Sequence, residues 1–160
     1  MIEPIEQTLR MIVPILSALP KLDWALTGST GMVLQGMDII IHDIDIQTTS
    51  IDAYKIEKRL ATVAKRLMPV DYRKSARIAS HFGKVRIGQV EIEIMGDIED
   101  FIPGKGWKGP ANFAEIVEWV TWETNRVPVI SLTHERDAYL EIGRVEKSKA
   151  IQTYLTGREV

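Results

Sequence analysis

Apolar residues recur along the chain at two periods, and the changes between them divide it into elements. From Ile2 through Leu19, the residues Ile5, Leu9, Ile12, Val13 and Leu16 fall three and four apart, the spacing that lines one face of an α-helix. Pro14 stands inside that run and is expected to kink or divide the helix, because it lacks an amide donor and its ring crowds the preceding turn. The apolar stretch Trp24-Ala25-Leu26-Thr27 ends at Gly28-Ser29-Thr30-Gly31, which reads as strand, tight turn and short helix to about Gln35. Between Ile39 and Thr49 the residues alternate. Ile40, His42, Ile44 and Ile46 share one face, and Ile41, Asp43, Asp45 and Gln47 the other, so the segment reads as a strand.

Residues 51–67 return to the helical period, with Ile56, Leu60, Val63 and Leu67 on one stripe, basic residues largely off it, and Thr49 or Ser50 available as N-cap. Val70 to about Lys74 reads as another strand, and Phe82–Ile87 with Val90–Met95 as a hairpin around Gly88-Gln89. Pro103, Gly104, Gly106, Gly109 and Pro110 mark a long loop around Trp107, either a specificity loop or a plain connector. Residues 114–124 read as extended and pair with Arg126–Leu132, since Val117, Val120, Thr121 and two tryptophans favour strand. Helices are expected from Thr133 to Ile142 and from 144 to about 155, separated by Gly143.

A length of 160 residues sets the expectation of one domain over 1–160. Cysteine is absent, so any metal must be held by carboxylate, imidazole or carbonyl groups, which favours hard ions such as Mg²⁺. The net charge of -2 argues against a protein that coats nucleic acid by bulk electrostatics. No apolar run has the length of a membrane span, and Glu3 and Glu6 do not fit a secretory signal; a cytoplasmic location is the expectation.

Asp43 and Asp45 lie two apart between isoleucines, so on a strand both carboxylates leave one face, about 7 Å apart at Cα. Two such groups on an apolar strand repel each other unless a cation compensates; the plain alternative is that both point to solvent. Gly28-Ser29, at a strand end and helix start, can meet a phosphate or be simply a turn. Glu91 and Glu93 repeat the acidic alternation opposite Ile92 and Ile94 and supply a third carboxylate.

Leu26-Thr27-Gly28-Ser29, His42-Asp43-Ile44-Asp45-Ile46 and Val90-Glu91-Ile92-Glu93-Ile94 together resemble the nucleotidyltransferase superfamily, in particular small stand-alone members similar to aminoglycoside nucleotidyltransferases and nucleotidyltransferase-like toxins. The resemblance implies an α/β (α+β) fold, a mixed β-sheet flanked by helices. It implies transfer of a nucleoside monophosphate from an NTP to a hydroxyl or phosphate acceptor, with release of pyrophosphate. Asp43 and Asp45 would then ligate two Mg²⁺ ions, or Mn²⁺, about 3.5–4 Å apart. Gly28 and Ser29 would hold the β- and γ-phosphates, with Lys147 and Lys149 invited to a triphosphate role. Glu93 would be the third acidic residue, as ligand or base, because Ile94-Met95-Gly96-Asp97 after it resembles the family's sequence at the same place; Glu91 is the reserve.

Many relatives add a helical acceptor-binding domain, so a homodimer or partner protein is a candidate to complete the site. The acceptor stays open between a small molecule, a protein hydroxyl and an RNA end. The alternative function is a non-catalytic nucleotide-binding or toxin–antitoxin partner of the same fold. A plain nucleic-acid-binding module is least favoured, because aromatic residues are 7% and basic residues form no single stripe in the sequence. His42 reads as a buried, hydrogen-bonded histidine, and Arg73, Lys74 and Arg77 as a solvated basic loop.

Overall fold

The computed structural model describes residues 1–158, and all its strands join one mixed sheet. In chain order the elements are α1 (Glu3–Ser17), β1 (Trp24–Thr27), α2 (Gly28–Leu34), β2 (Ile44–Thr48), α3 (Ser50–Leu60), β3 (Lys65–Lys74), β4 (Ile78–Ile87), β5 (Val90–Ile102), β6 (Gly106–Lys108), α4 (Phe113–Ile116), β7 (Val117–Trp122), β8 (Asn125–Ile130), α5 (Leu132–Glu141) and α6 (Val145–Arg158). The sheet order is β3-β4-β5-β2-β1-β8-β7, with β6 on the end of β5. Parallel pairing of β2 with β5 and of β1 with β8 is combined with antiparallel pairing elsewhere, giving the mixed α/β sheet expected.

One face of the sheet carries the main core. Ile44, Ile46, Ile92, Ile94 and Leu26 point into it and meet Ile5, Leu9, Ile12 and Leu16 of α1 and Ala53, Ile56 and Leu60 of α3. The predicted apolar stripe of α1 is thus its buried face, and helix α1 runs on through Pro14 without division. Pro14 sits in the last turn on the exposed side, where loss of one amide donor is outweighed by burial of the stripe. On the other face, Met32, Met37, Leu132, Ile151 and Leu155 form a smaller cluster that packs α2, α5 and α6 together.

Four segments depart from the sequence reading. Residues 114–116, expected extended, end the short helix α4, capped by Asn112 accepting the Ala114 amide. The strand expected from Ile39 begins only at Ile44, and Ile40 is 75% exposed, because residues 39–43 have no ladder partner and alternation alone supplies no hydrogen bonds. Helix α3 stops at Leu60 instead of continuing to Leu67. Residues 65–67 belong to β3, which pairs with β4, and Glu57 accepts the Val70 amide at 2.6 Å, tying the new strand to the helix. The loop around Trp107 contains β6, which pairs with β5. The hairpin turn has φ 59 at Gly88 and no positive φ at Gln89, a type II′ turn. No helix among the described residues is long and apolar enough to cross a membrane.

Candidate active site

Alternation along β2 and β5 buries the isoleucines in the main core and turns Asp45 and Glu93 to the opposite face. Because the two strands are parallel and in register, Asp45 and Glu93 are direct cross-strand partners. Asp43 precedes β2, in a bend held by the Thr30 hydroxyl donating to its carbonyl at 3.0 Å. One carboxylate oxygen from each of Asp43, Asp45 and Glu93 lies within 4.8 Å of the others. Glu91 is not among them; it lies two residues earlier on β5 and meets Lys84 Nζ at 3.5 Å.

Asp45 is the tightest point of this cluster. Its Oδ1 is buried and makes no hydrogen bond among the described residues, a state that costs free energy unless something else approaches that oxygen. Burial, with the charges of Asp43 and Glu93, pushes its carboxyl up to about 8. Over its other oxygen lies Gly28, with φ 61; a Cβ there would stand 2.6 Å from Asp45 Oδ2. Glycine is therefore required twice at this position, by the left-handed backbone and by the close approach. Lys84, the cross-strand partner of Glu93 on β4, brings its ammonium to 3.6 Å from Glu93 Oε1 and balances part of the charge at the rim.

Glu135 is the functional-site residue that sequence reasoning missed. It projects from the first turn of α5, 7% exposed, and accepts hydrogen bonds from the Thr27 hydroxyl and from the Gly28 amide, the latter at 3.1 Å. Its carboxyl is pushed up by burial and pulled back by the Thr27 hydroxyl, the Gly28 amide and the charge of Lys147. The β1–α2 turn is thus clamped from behind, and the Gly28 amide is already engaged. In the sequence Glu135 carries only the signature of an acidic residue in the first turn of a helix capped by Ser131, which marks a favourable dipole position and nothing more.

The remaining candidates are spread out. Ser29 is half-buried at the first turn of α2. Lys147 is exposed on α6, its Nζ 5.3 Å from the Tyr139 ring centroid, and Tyr139 is itself pushed up to about 12 by burial and the charge of Glu135. Lys149 is exposed one position beyond the buried Ser148. His42 is exposed, contrary to the buried histidine expected, because the strand that was to bury it does not form. Arg73 and Lys74 lie on edge strand β3, not in a loop; Arg73 donates to the carbonyls of Phe82 and Pro69.

A search of curated proteins found no match. Among solved structures, a Thermotoga maritima protein provisionally described as a nucleotidyltransferase is 35% identical, with TM-score 0.81 over 98% of this chain and 96% of that one. The lincosamide antibiotic adenylyltransferase LnuA, solved with lincomycin bound, shares the fold at 17% identity and TM-score 0.55, covering 92% of this chain and 96% of its own. The antibiotic-resistance factor ANT(2″)-Ia, solved in complex with adenylyl-2″-tobramycin, does so at 11% identity and TM-score 0.60, covering 98% of this chain and 92% of its own. The family model for aminoglycoside-2″-adenylyltransferase matches residues 9–153, a span that takes in the acidic cluster, the Gly28 turn and the Glu135 clamp, and the chain belongs to that family of nucleotidyltransferases.

Proposed function

We propose that this protein moves a nucleoside monophosphate from an NTP to the hydroxyl of a small-molecule acceptor, with Asp43, Asp45 and Glu93 holding divalent metal. The observation that carries the reading is Asp45, whose inner oxygen is buried between two further carboxylates without a hydrogen-bond partner among the described residues. An all-oxygen donor set suits Mg²⁺, with Mn²⁺ as its substitute. When bound, divalent ions neutralise triphosphate charge and make the acceptor hydroxyl more acidic.

The chain's own groups would do the rest. Asp43 and Asp45 hold the ions from the floor of the site. Glu93 completes the ligand set or takes the proton of the attacking hydroxyl. The acceptor oxygen bonds to the α-phosphorus as the bond to pyrophosphate breaks. The Gly28 backbone lets the triphosphate approach Asp45 closely, the Ser29 hydroxyl donates to it, and Lys147 adds positive charge from α6. The lincomycin and adenylyl-tobramycin bound to its structural relatives support an antibiotic-like polyhydroxylated acceptor.

The test is incubation with labelled ATP, GTP, CTP or UTP and Mg²⁺ against aminoglycosides, lincosamides, protein and RNA, following pyrophosphate and label. Acceptor-dependent release that disappears in an Asp43→Ala, Asp45→Ala double variant is the expected result. If wild type and variant behave alike across all acceptors, the catalytic reading is lost, and NTP binding without turnover would favour a nucleotide-binding partner protein instead.

A further inference from the structure

The end of the sheet beyond β5 is left uncovered in a way the proposed reaction does not require. Of the ten residues of β3, only Val70 is buried. On the face that carries α3, away from the acidic cluster, Tyr54, Tyr72, Phe101 and Trp107 remain 41%, 44%, 38% and 39% exposed. They are not scattered. The Tyr54 hydroxyl meets His81 Nδ1 at 2.8 Å, and the His81 ring lies 5.7 Å from Tyr54 and 5.4 Å from Tyr72. Phe101 and Trp107 are edge to face at 5.7 Å, with Lys74 Nζ 4.4 Å over the Trp107 ring. Tyr72 and Lys74 are two apart on one strand face, about 7 Å, so the two aromatic groups form one band from α3 across β3 and β4 to β6.

That band is cationic although the whole chain is not. Lys55 and Lys58 of α3, Lys74 of β3, and Arg77 of the following turn are all exposed. Against them stand Asp52, buried and 3.5 Å from Lys55 Nζ, Glu57, buried and occupied by the Val70 amide and Arg66, and Glu99, which accepts the Tyr72 hydroxyl at 3.3 Å. The basic residues come from separate elements, which is why no stripe is visible in the sequence.

A second copy fits this face poorly. Two-fold contact would set the band against itself and oppose like charges. Strand addition at β3 is blocked by Pro69 and by register shifts between Arg66 and Met68 and between Met68 and Asp71. Flat exposed rings interleaved with exposed cations are what a polyanion with flat faces of its own requires, phosphates on the cations and bases on the rings. We infer that this band is a docking surface for single-stranded nucleic acid. It is independent of the transfer reaction proposed above.

Fluorescence anisotropy with short labelled oligoadenylate, as RNA and as DNA, tests it. Binding at low salt that weakens as salt rises is expected. Tyr72→Ala and Trp107→Ala should each weaken it about 5- to 150-fold, the loss of one stacked base. Lys74→Ala should flatten the salt slope by about 0.7, and the Asp43→Ala, Asp45→Ala variant should bind as wild type. Tyr72→Leu keeps apolar contact and removes only the ring, so it decides the matter if the alanine variant is poorly folded. The inference is overturned if neither oligonucleotide binds, if Tyr72→Leu binds undiminished, if duplex or polyglutamate competes as well as the single strand, or if sedimentation shows the same variants dissolving a dimer.

Discussion

Replacing Asp45 by asparagine should make the metal-free protein more stable, although it removes a central group of the candidate site. A carboxyl that titrates at about 8 in the folded protein and near 3.9 in the unfolded chain opposes folding wherever the unfolded chain is ionised. The sign comes from linkage. Below about pH 4 both states are protonated and there is no penalty; stability falls as pH rises through the window up to about 8, and the loss is complete above it. At pH 7 the cost is on the order of 4 kcal/mol at about 1.36 kcal/mol per pH unit, and screening at the half-open mouth of the site reduces it to roughly 2–4 kcal/mol. Asparagine is neutral at all pH and can donate to Glu93 as a protonated carboxyl would. In a chelating buffer at pH 8, Asp45→Asn should therefore raise Tm by roughly 5–15 °C for a domain of this size, and the gain should vanish near pH 4. Mg²⁺ should stabilise wild type and leave the variant unmoved. An Asp45→Asn protein that melts below wild type at pH 8 without metal, or a difference that does not change with pH, would show that the three carboxylates are not crowded as described.

Two further outcomes bear on the turn above that cluster. Glu135→Ala leaves the Thr27 hydroxyl and Gly28 amide without their acceptor and should cost about 1–3 kcal/mol, read by urea unfolding, together with weaker NTP binding by calorimetry; Glu135→Gln, which retains an accepting oxygen, should recover most of both. If the glutamine variant is as damaged as the alanine one, negative charge and not turn geometry is what Glu135 contributes. Gly28→Ala combines a left-handed alanine, about 1–2 kcal/mol, with a Cβ 2.6 Å from Asp45 Oδ2, and should weaken Mg²⁺-dependent thermal stabilisation more than it lowers Tm without metal; equal Mg²⁺ response in both proteins would refute the close approach.

Local pattern was enough for much of this molecule, because burial tracks periodicity wherever an element has one apolar face. The stripe of α1, the alternation of Ile44 and Ile46 against Asp45, the matching alternation around Glu93 and the glycine at position 28 were all legible without coordinates. Only the tertiary structure could decide the rest. Whether residues 39–43 and 65–67 become strand depends on which ladder is free to pair with them, not on their own spacing, so His42 is exposed and Leu67 left the predicted helix. Glu93 rather than Glu91 joins Asp43 and Asp45 because parallel register sets it opposite Asp45. Glu135 reaches Gly28 across a sequence separation of 107, and no local signal announces a hydrogen bond made by the packing of α5 on the sheet. Sequence determined the chemistry available; the crossing of strands and helices selected which groups meet, because proximity between distant residues is a property of the folded chain as a whole.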